Sequence, residues 1–245
     1  MSHLLVLGAA SDIAKAVARE YAANGFHLCL AARAEEREEV EADAEDYRVR
    51  YQVEVTVLDF DALDYGSHQA LYEKLDPKPA GVACFVGLLG DQQNSQTDFD
   101  HAQLIINTNY VGCASFLNVV ANDFEARKNG FIIGVSSVAG DRGRMSNYTY
   151  GSAKAGFTAY LAGLRHRLSK VVVHVMTVKP GFVNTRMTEG MDLNPKLTAQ
   201  PSEVAKDIIK AQQKGVNTLY TKWMWRYIML IITNLPEFIF KRTNL

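Results

Sequence analysis

Several things are scarce in this chain, and each shortage closes a class of function. The 245 residues carry a formal net charge of -1, from 26 Lys and Arg against 27 Asp and Glu, so no global basic field draws the protein to nucleic acid. Cysteine is rare: Cys29, Cys84 and Cys113 each sit in an apolar stretch, which reads as buried free thiols and excludes a disulfide framework. No Cys/His spacing suits zinc and the six histidines are scattered, so no metal site is expected. The chain enters Leu4-Leu5-Val6-Leu7 without a basic n-region or a long apolar h-region, so no secretory signal is expected, and a reducing cytoplasm fits. The length is that of one domain with a sizeable core.

What is present centres on one stretch. The apolar run Phe131 to Val135 reads as a buried strand and stops at Ser136-Ser137. A loop with Gly140, Gly143 and Asn147 follows, and a helical pattern opens near Tyr150 with Ala153, Phe157, Leu161, Leu164 and Leu168 on one stripe. Helical spacing puts Tyr150 and Lys154 one turn apart on the same face. A lysine ammonium beside a phenol favours the phenolate and draws its pKa from roughly 10 toward neutrality, which allows proton transfer near pH 7. A serine held opposite steadies charge as a carbonyl becomes an alkoxide. These are the parts for interconverting a ketone and an alcohol, provided another group carries the hydride. As isolated features, Tyr150 and Lys154 are equally two neighbours on a solvated helix.

The rest of the chain supplies the missing group. Leu4 to Leu7 runs into Gly8-Ala9-Ala10-Ser11-Asp12-Ile13-Ala14, and Ile13, Val17 and Tyr21 then mark a helix ending at Asn24-Gly25. Strand, glycine turn and helix open a dinucleotide-binding unit, in which the helix N-terminus offers N–H groups to a pyrophosphate. The fingerprint keeps Gly8 and replaces two further glycines by Asp12 and Ala14, so a carboxylate stands close to phosphate charge. The second strand, His27 to Ala31, ends at Ala32-Arg33; a guanidinium there suits a 2′-phosphate, which favours NADP(H) over NAD(H). Residues 34 to 50 are densely charged and read as a surface helix. Further strands are expected at Val53 to Leu58, Val82 to Val86, Val171 to Val178 and Thr218 to Tyr220, with helices around 66 to 75 and from Ala102 to about Phe124. Alternation at this spacing implies an α/β fold: a doubly wound parallel sheet between two helical layers, a Rossmann fold. Gly8, Arg33, Asp59-Phe60, Gly87, Ser137 and Pro180-Gly181 all fall at carboxyl ends of strands, where such sheets bind ligands.

With these positions in place, the chain resembles the short-chain dehydrogenase/reductase family over nearly its whole length. The family's Ser, Tyr and Lys match Ser137, Tyr150 and Lys154, and its helical Asn matches Asn109 of Asn109-Tyr110-Val111-Gly112. The resemblance implies that Tyr150 is the acid/base, Ser137 orients the substrate oxygen, Lys154 binds the nicotinamide ribose, and Asn109 holds a water leading to a proton relay. It places Gly8, Ser11, Asp12 and Ile13 in the cofactor turn, Asp59 with Phe60 at the adenine, and Gly87, Pro180, Gly181, Val183 and Thr185 along the nicotinamide and phosphates. One departure is Cys84-Phe85-Val86-Gly87, where the family has Asn-Asn-Ala-Gly. Gly87-Leu88-Leu89-Gly90-Asp91-Gln92 and Lys179-Pro180-Gly181-Phe182-Val183 are similar to a subgroup that includes decaprenylphosphoryl 2-keto-ribose reductases, which act on a polyprenyl-linked sugar.

Two segments address the substrate. Residues 186 to 200, with Met187, Met191 and Leu193, read as a mobile lid within a cofactor-binding body of residues 1 to 222. Residues 223 to 245 form an apolar C-terminal segment. Trp223 to Ile232 is apolar almost all round, and Leu235-Pro236, Phe238-Ile239-Phe240 and Lys241-Arg242 follow; this is too short and interrupted for a spanning helix. It reads as a wall for a lipid-like substrate, a peripheral contact through 223 to 240 at the inner face of the membrane, or a buried oligomer contact. The family resemblance adds a homodimer or homotetramer through the helices holding Asn109 and Tyr150. Two further readings stand beside a lipid-linked keto reductase: a reductase of soluble 3-oxoacyl thioesters or small carbonyls, and a non-catalytic dinucleotide-binding regulator.

Overall fold

The computed structural model describes residues 2–243; Met1, at the head of the expected body, and Asn244 and Leu245, at the end of the expected C-terminal segment, lie outside the described residues. Nine strands and ten α-helices follow one another: β1 His3–Leu7, α1 Asp12–Ala23, β2 His27–Ala32, α2 Arg37–Tyr51, β3 Val55–Asp59, α3 His68–Glu73, β4 Gly81–Cys84, α4 Asn94–Thr97 and α5 Phe99–Ile106. After these come α6 Gly112–Arg127, β5 Phe131–Val135, α7 Tyr148–Leu168, β6 His174–Pro180, β7 Phe182–Val183, β8 Thr198–Ala199, α8 Pro201–Gln213, β9 Thr218–Thr221, α9 Met224–Asn234 and α10 Glu237–Phe240.

Seven strands form one parallel sheet in the order β3-β2-β1-β4-β5-β6-β9. The order reverses at β1, which pairs with β2 on one side and β4 on the other, so that Leu7 faces both Ala31 and Cys84. A crevice opens at the carboxyl ends of those strands. The sheet is apolar on both faces. Leu4, Val6, Leu28 and Leu30 pack with Val17, Tyr21 and Tyr47 from α1 and α2 and with Val204 and Ile208 from α8. Leu5, Leu7, Val82 and Ile132 face Phe116 and Val120 of α6 and Phe157 and Leu161 of α7. Each such side chain contributes about 1.5–3 kcal/mol on burial. This is the doubly wound three-layer domain expected from the alternating pattern.

Among the element boundaries that differ from the expected ones, three have a clear local reason. β3 begins at Val55 instead of Val53, because Gln52 ends α2 in the left-handed region (φ 55°) and 53–54 complete the turn. β6 begins at His174 instead of Val171, because Val172 is left-handed (φ 61°) after a short 3-10 turn. β4 stops at Cys84, short of Val86, where the main chain of 85–86 packs against Gly8. The long helix runs from Phe99 to Arg127 and changes to π-helical pitch at Asn107–Val111. By length and composition it could cross a membrane, yet its Ile105, Phe116 and Val120 are core residues of the sheet domain.

The C-terminal segment buries one face, and its outward face carries large apolar residues as well. Trp225, Met229 and Ile232, at helical spacing on α9, are buried in a small cluster with Val138, Phe182 and Leu197. Trp223, Tyr227, Leu230 and Ile231 point outward.

Candidate active site

Close helix-to-strand contact places the central residues. Gly134 in β5 leaves room for Leu161 of α7, since a Cβ at 134 would lie 2.4 Å from the Leu161 Cδ1. Six residues on, Gly140 meets the main chain of Lys154 and Ala155, where a Cβ would come within 2.7 Å of the Ala155 nitrogen. The end of β5 therefore lies against the first turns of α7. Ser136 completes the joint: its buried hydroxyl donates to the Lys154 carbonyl (2.9 Å) and bonds the Thr158 hydroxyl (2.7 Å). Ser137 instead turns its hydroxyl to the crevice, where it accepts a hydrogen bond from the Ala139 N–H (3.1 Å).

Ser137, Tyr150 and Lys154 line a single cavity of about 740 Å³. Lys154 is 3% exposed, and its Nζ donates to the carbonyls of Val135 (3.1 Å) and Val86 (3.3 Å) while lying 5.7 Å from the Tyr150 ring centroid. Two neutral acceptors hold the ammonium without a carboxylate to satisfy its charge. Asn109 sits behind this group and does not line the cavity. It is fully buried in the π-helical turn, where its Nδ2 donates to the Leu88 and Ile105 carbonyls (2.6 and 2.8 Å) and its Oδ1 accepts from the Leu88 N–H (3.2 Å). A Cβ at Gly87 would lie 3.3 Å from Asn109 Oδ1 and 3.4 Å from Lys154 Nζ, so the bare main chain at 87 separates the two polar groups.

The residues expected to hold the cofactor divide less evenly. Gly8 adopts φ +74°, and a Cβ there would reach to 3.0 Å from the Val86 nitrogen, so this position needs glycine on both counts. Ser11 precedes α1 without a side-chain cap bond, which leaves the first-turn N–H groups of Asp12 and Ile13 open toward the cavity they line. Asp12 does not point its carboxylate at that opening. Its oxygens accept from the Arg186 main-chain N–H (2.8 Å) and Nε (3.1 Å), and Arg186 also pairs with Glu39 (3.0 Å) and donates to the Ala10 carbonyl. The negative charge at the turn is thereby neutralised from a segment 174 residues away.

Arg33 lines the cavity but is paired with Glu35 (2.9 Å) and Glu36 (2.7 Å), and the Glu36 hydrogen bond holds its guanidinium above the ordinary pKa. Asp59 is not in the lining: it closes β3 and pairs with Arg37 (2.7 Å), while Phe60 and Asp61 face the cavity. The strand alternation that turns Phe60 inward turns Asp59 out. Gly87, Pro180, Gly181, Val183 and Thr185 all line the cavity.

The 186–200 segment closes over this space. β7 and β8 pair at its base, and Arg186, Met187, Thr188 and Met191 face the cavity, whereas Leu193 does not. Behind it stands α9: the Trp225 indole covers Gly181 so closely that a Cβ there would fall 2.0 Å from it, and its Nε1 donates to the Leu197 carbonyl (3.0 Å). Arg142 donates to the Ile232 and Leu235 carbonyls (2.5 and 2.7 Å) and ties the loop before Tyr150 to the end of α9. That loop also sends Arg144 and Asn147 into the cavity, two residues that sequence reasoning missed. Their only signal was position, between the serine and the tyrosine. Among the described residues no cluster of His, Cys, Asp or Glu could hold a metal, and the three thiols are buried and unpaired.

Comparison with known proteins agrees with this geometry. The sequence profile of the short chain dehydrogenase family matches residues 2–196. An uncharacterized oxidoreductase of Mycobacterium tuberculosis is 35% identical over 242 residues, covering 98% of this chain and 96% of the relative. The NADP-dependent 3-hydroxy acid dehydrogenase of Schizosaccharomyces pombe is 30% identical over 190 residues, covering 76% of this chain and 73% of its own. Among solved structures, a short-chain dehydrogenase from Sphingobium yanoikuyae in complex with NADPH superposes with a TM-score of 0.83 over 97% of each chain, at 20% identity.

Proposed function

The chain belongs to the short chain dehydrogenase family, oxidoreductases that use a nicotinamide dinucleotide, and from that premise we propose that it interconverts a keto group and a secondary alcohol with NADP(H), on a hydrophobic or polyprenyl-linked sugar substrate. The observation that carries the chemistry is the gathering of Ser137, Tyr150 and Lys154 around one cavity. In this reading Tyr150 gives or takes the proton at the substrate oxygen and Ser137 hydrogen-bonds the same oxygen, steadying it as charge develops. Lys154, buried with its Nζ 5.7 Å from the Tyr150 ring centroid, would bind the nicotinamide ribose, and Asn109 orders the main chain at Leu88 so that Gly87 stays open between them.

The residues present fit the nucleotide: the bare Gly8 and Gly87 leave cradles that a Cβ would fill, and the uncapped start of α1 offers N–H donors to phosphate. When bound, the nicotinamide supplies or accepts the hydride. Ser11, Ile13, Thr185 and Val183 would hold its phosphates and carboxamide, and the adenine end would lie against Phe60 and Asp61, which face the cavity where Asp59 does not. Arg33 would take a 2′-phosphate, since its exposed pairs with Glu35 and Glu36 are worth only about 0–1 kcal/mol each and are easily exchanged.

The hydrophobic substrate is supported by the apolar side of the cavity, with Phe182, Met187, Met191 and Leu104, and by the exposed face of α9 and α10. There Trp223, Tyr227, Leu230 and Phe238 stand beside the exposed cations Arg226, Lys241 and Arg242, an arrangement suited to the surface of an anionic cytoplasmic leaflet. Phe99 and Val111, exposed on the long helix, support a homodimer or homotetramer through that face. The Schizosaccharomyces pombe relative favours a second reading, a dehydrogenase of soluble hydroxy acids.

Tyr150→Phe tests the chemistry: turnover should fall by about 10²- to 10⁴-fold while NADPH binding, followed by tryptophan fluorescence, persists. Unchanged turnover removes Tyr150 from its role. Co-sedimentation with anionic vesicles, abolished by Trp223→Ala/Leu230→Ala, separates the lipid reading from the soluble one.

A further inference from the structure

We propose that Arg144, with Asn147 beside it, is the receptor for an anionic group, phosphoryl or carboxylate, on the carbonyl substrate. Three arginines line the cavity, and two of them are spoken for: Arg33 by Glu35 and Glu36, Arg186 by Asp12 and Glu39. Arg144 has no carboxylate partner among the described residues. Its hydrogen bond is from Nη2 to the Met229 thioether (3.4 Å), a weak acceptor, and its Nε is buried with no partner at all. The nearest carboxylate in its own loop, Asp141, is occupied by Lys179 (2.5 Å) and by the Tyr220 hydroxyl (2.8 Å). Asn147 repeats the pattern, since its Oδ1 is buried and unbonded.

A guanidinium cleared of its counter-ion and half-buried at an apolar wall is costly to keep unless something pairs with it. Burial accordingly holds the Arg144 guanidinium below its ordinary pKa. The planar donor fork matches two oxygens of a phosphoryl or carboxylate group. Location then gives the role. Arg144 and Asn147 lie on the loop between Ser137 and Tyr150, away from the α1 turn where dinucleotide phosphates would sit, so the anion they take belongs to the substrate. Met229 holds the guanidinium from α9, a helix that supports the cavity wall without lining it. This assignment rests on the keto/alcohol reading above and adds its substrate class, an anionic carbonyl compound. A phosphodiester-linked keto-sugar and a 3-hydroxy acid both meet that chemistry, one through phosphoryl and the other through carboxylate.

Binding is read separately from turnover. The NADPH-saturated protein is titrated with octyl phosphate, octanoate and octanol, by tryptophan fluorescence, in wild type, Arg144→Met and Arg144→Lys. Wild type should prefer at least one of the anions to octanol by roughly ten- to hundredfold, the gain expected of hydrogen bonds to a charged partner. Arg144→Met should reduce that preference to within about twofold, and Arg144→Lys should restore part of it. The better anion identifies the source, phosphoryl or carboxylate. Absence of the preference in wild type, or its survival in Arg144→Met, overturns the proposal; if Arg144→Met does not fold, a full preference in Arg144→Lys at high ionic strength does the same. Turnover of 3-hydroxydodecanoate against its methyl ester, and of a dodecyl phosphoryl keto-pentose against the uncharged dodecyl glycoside, then tests the reading beneath. Anion preference with no turnover of any of the four would leave Arg144 a receptor and refute the reductase.

Discussion

Replacing Trp225 by Ala should release α9 while leaving the sheet domain folded. The indole is 3% exposed, stands edge-on to Phe182 with centroids 5.1 Å apart, and donates to the Leu197 carbonyl. Truncating a buried tryptophan costs about 3–5 kcal/mol, a figure that already contains the aromatic pair and the hydrogen bond and is not added to them. The cluster that Trp225 anchors has only three other buried members, Val138, Met229 and Ile232, and it is separate from the two cores flanking the sheet. A loss of that size falls on a docking contact much smaller than a domain core, so the response should be local. Hydrogen exchange followed by mass spectrometry should show protection over 224–234 dropping by about two to three and a half orders of magnitude, with the lid base at 197–199 following. Amides of β1, β4 and β5 should be unaffected. Gly181→Ala should give a similar result alone and little further in the Trp225→Ala background, because the three atoms nearest its new Cβ all belong to the indole that is gone. Unaltered protection over 224–234, or an equal loss across the sheet, would refute the reasoning.

Two other outcomes follow from named contacts. Asp12→Asn keeps an oxygen for the Arg186 N–H but removes the charge; since the ion pair is partly exposed, the change is worth about 0.5–1.5 kcal/mol, and limited proteolysis within 186–197 should quicken by roughly two- to tenfold with little change in melting temperature. His174 is held below its ordinary value of 6.5 by burial, with Nε2 donating to the Val216 carbonyl and Nδ1 buried without a partner among the described residues. The unfolded chain then binds more protons than the native one below 6.5, so stability should fall as pH drops through that value toward the lower native pKa. His174→Gln should flatten this slope in urea unfolding at pH 5 to 7; an unchanged slope would show that the imidazole protonates freely in the native state.

Local pattern carried much of the fold into the sequence. Four of the seven sheet strands, β1, β2, β4 and β5, carry continuous apolar runs, and the i, i+4 step from Tyr150 to Lys154 states their shared face outright. What escaped reading depends on contacts far apart in the chain. Nothing near Asp12 announces Arg186, and nothing near Asp59 shows that Arg37 will take its carboxylate. The C-terminal run looked apolar on every side because Leu230 and Ile231 resemble Met229 and Ile232 in composition; only the position of Val138, Phe182 and Leu197 decides which pair is buried. Arg144 was silent for a different reason, since an arginine in a loop reads as solvated until the absence of a partner is seen in three dimensions.

The contact between Asp12 and Arg186 also bears on how the molecule is assembled. It joins the second element of the chain to a segment beyond β7, and the cost of closing a loop of 174 residues is offset only when the sheet between them is already built. During synthesis the amino-terminal strands and α1 emerge long before their partner at 186 exists. The turn that would receive a dinucleotide thus spends the early life of the chain with its carboxylate bare, and gains a neutral face only when Arg186 arrives. Charge balance at that turn is therefore a property of the finished fold, absent from any amino-terminal fragment however well its own β-α-β units form.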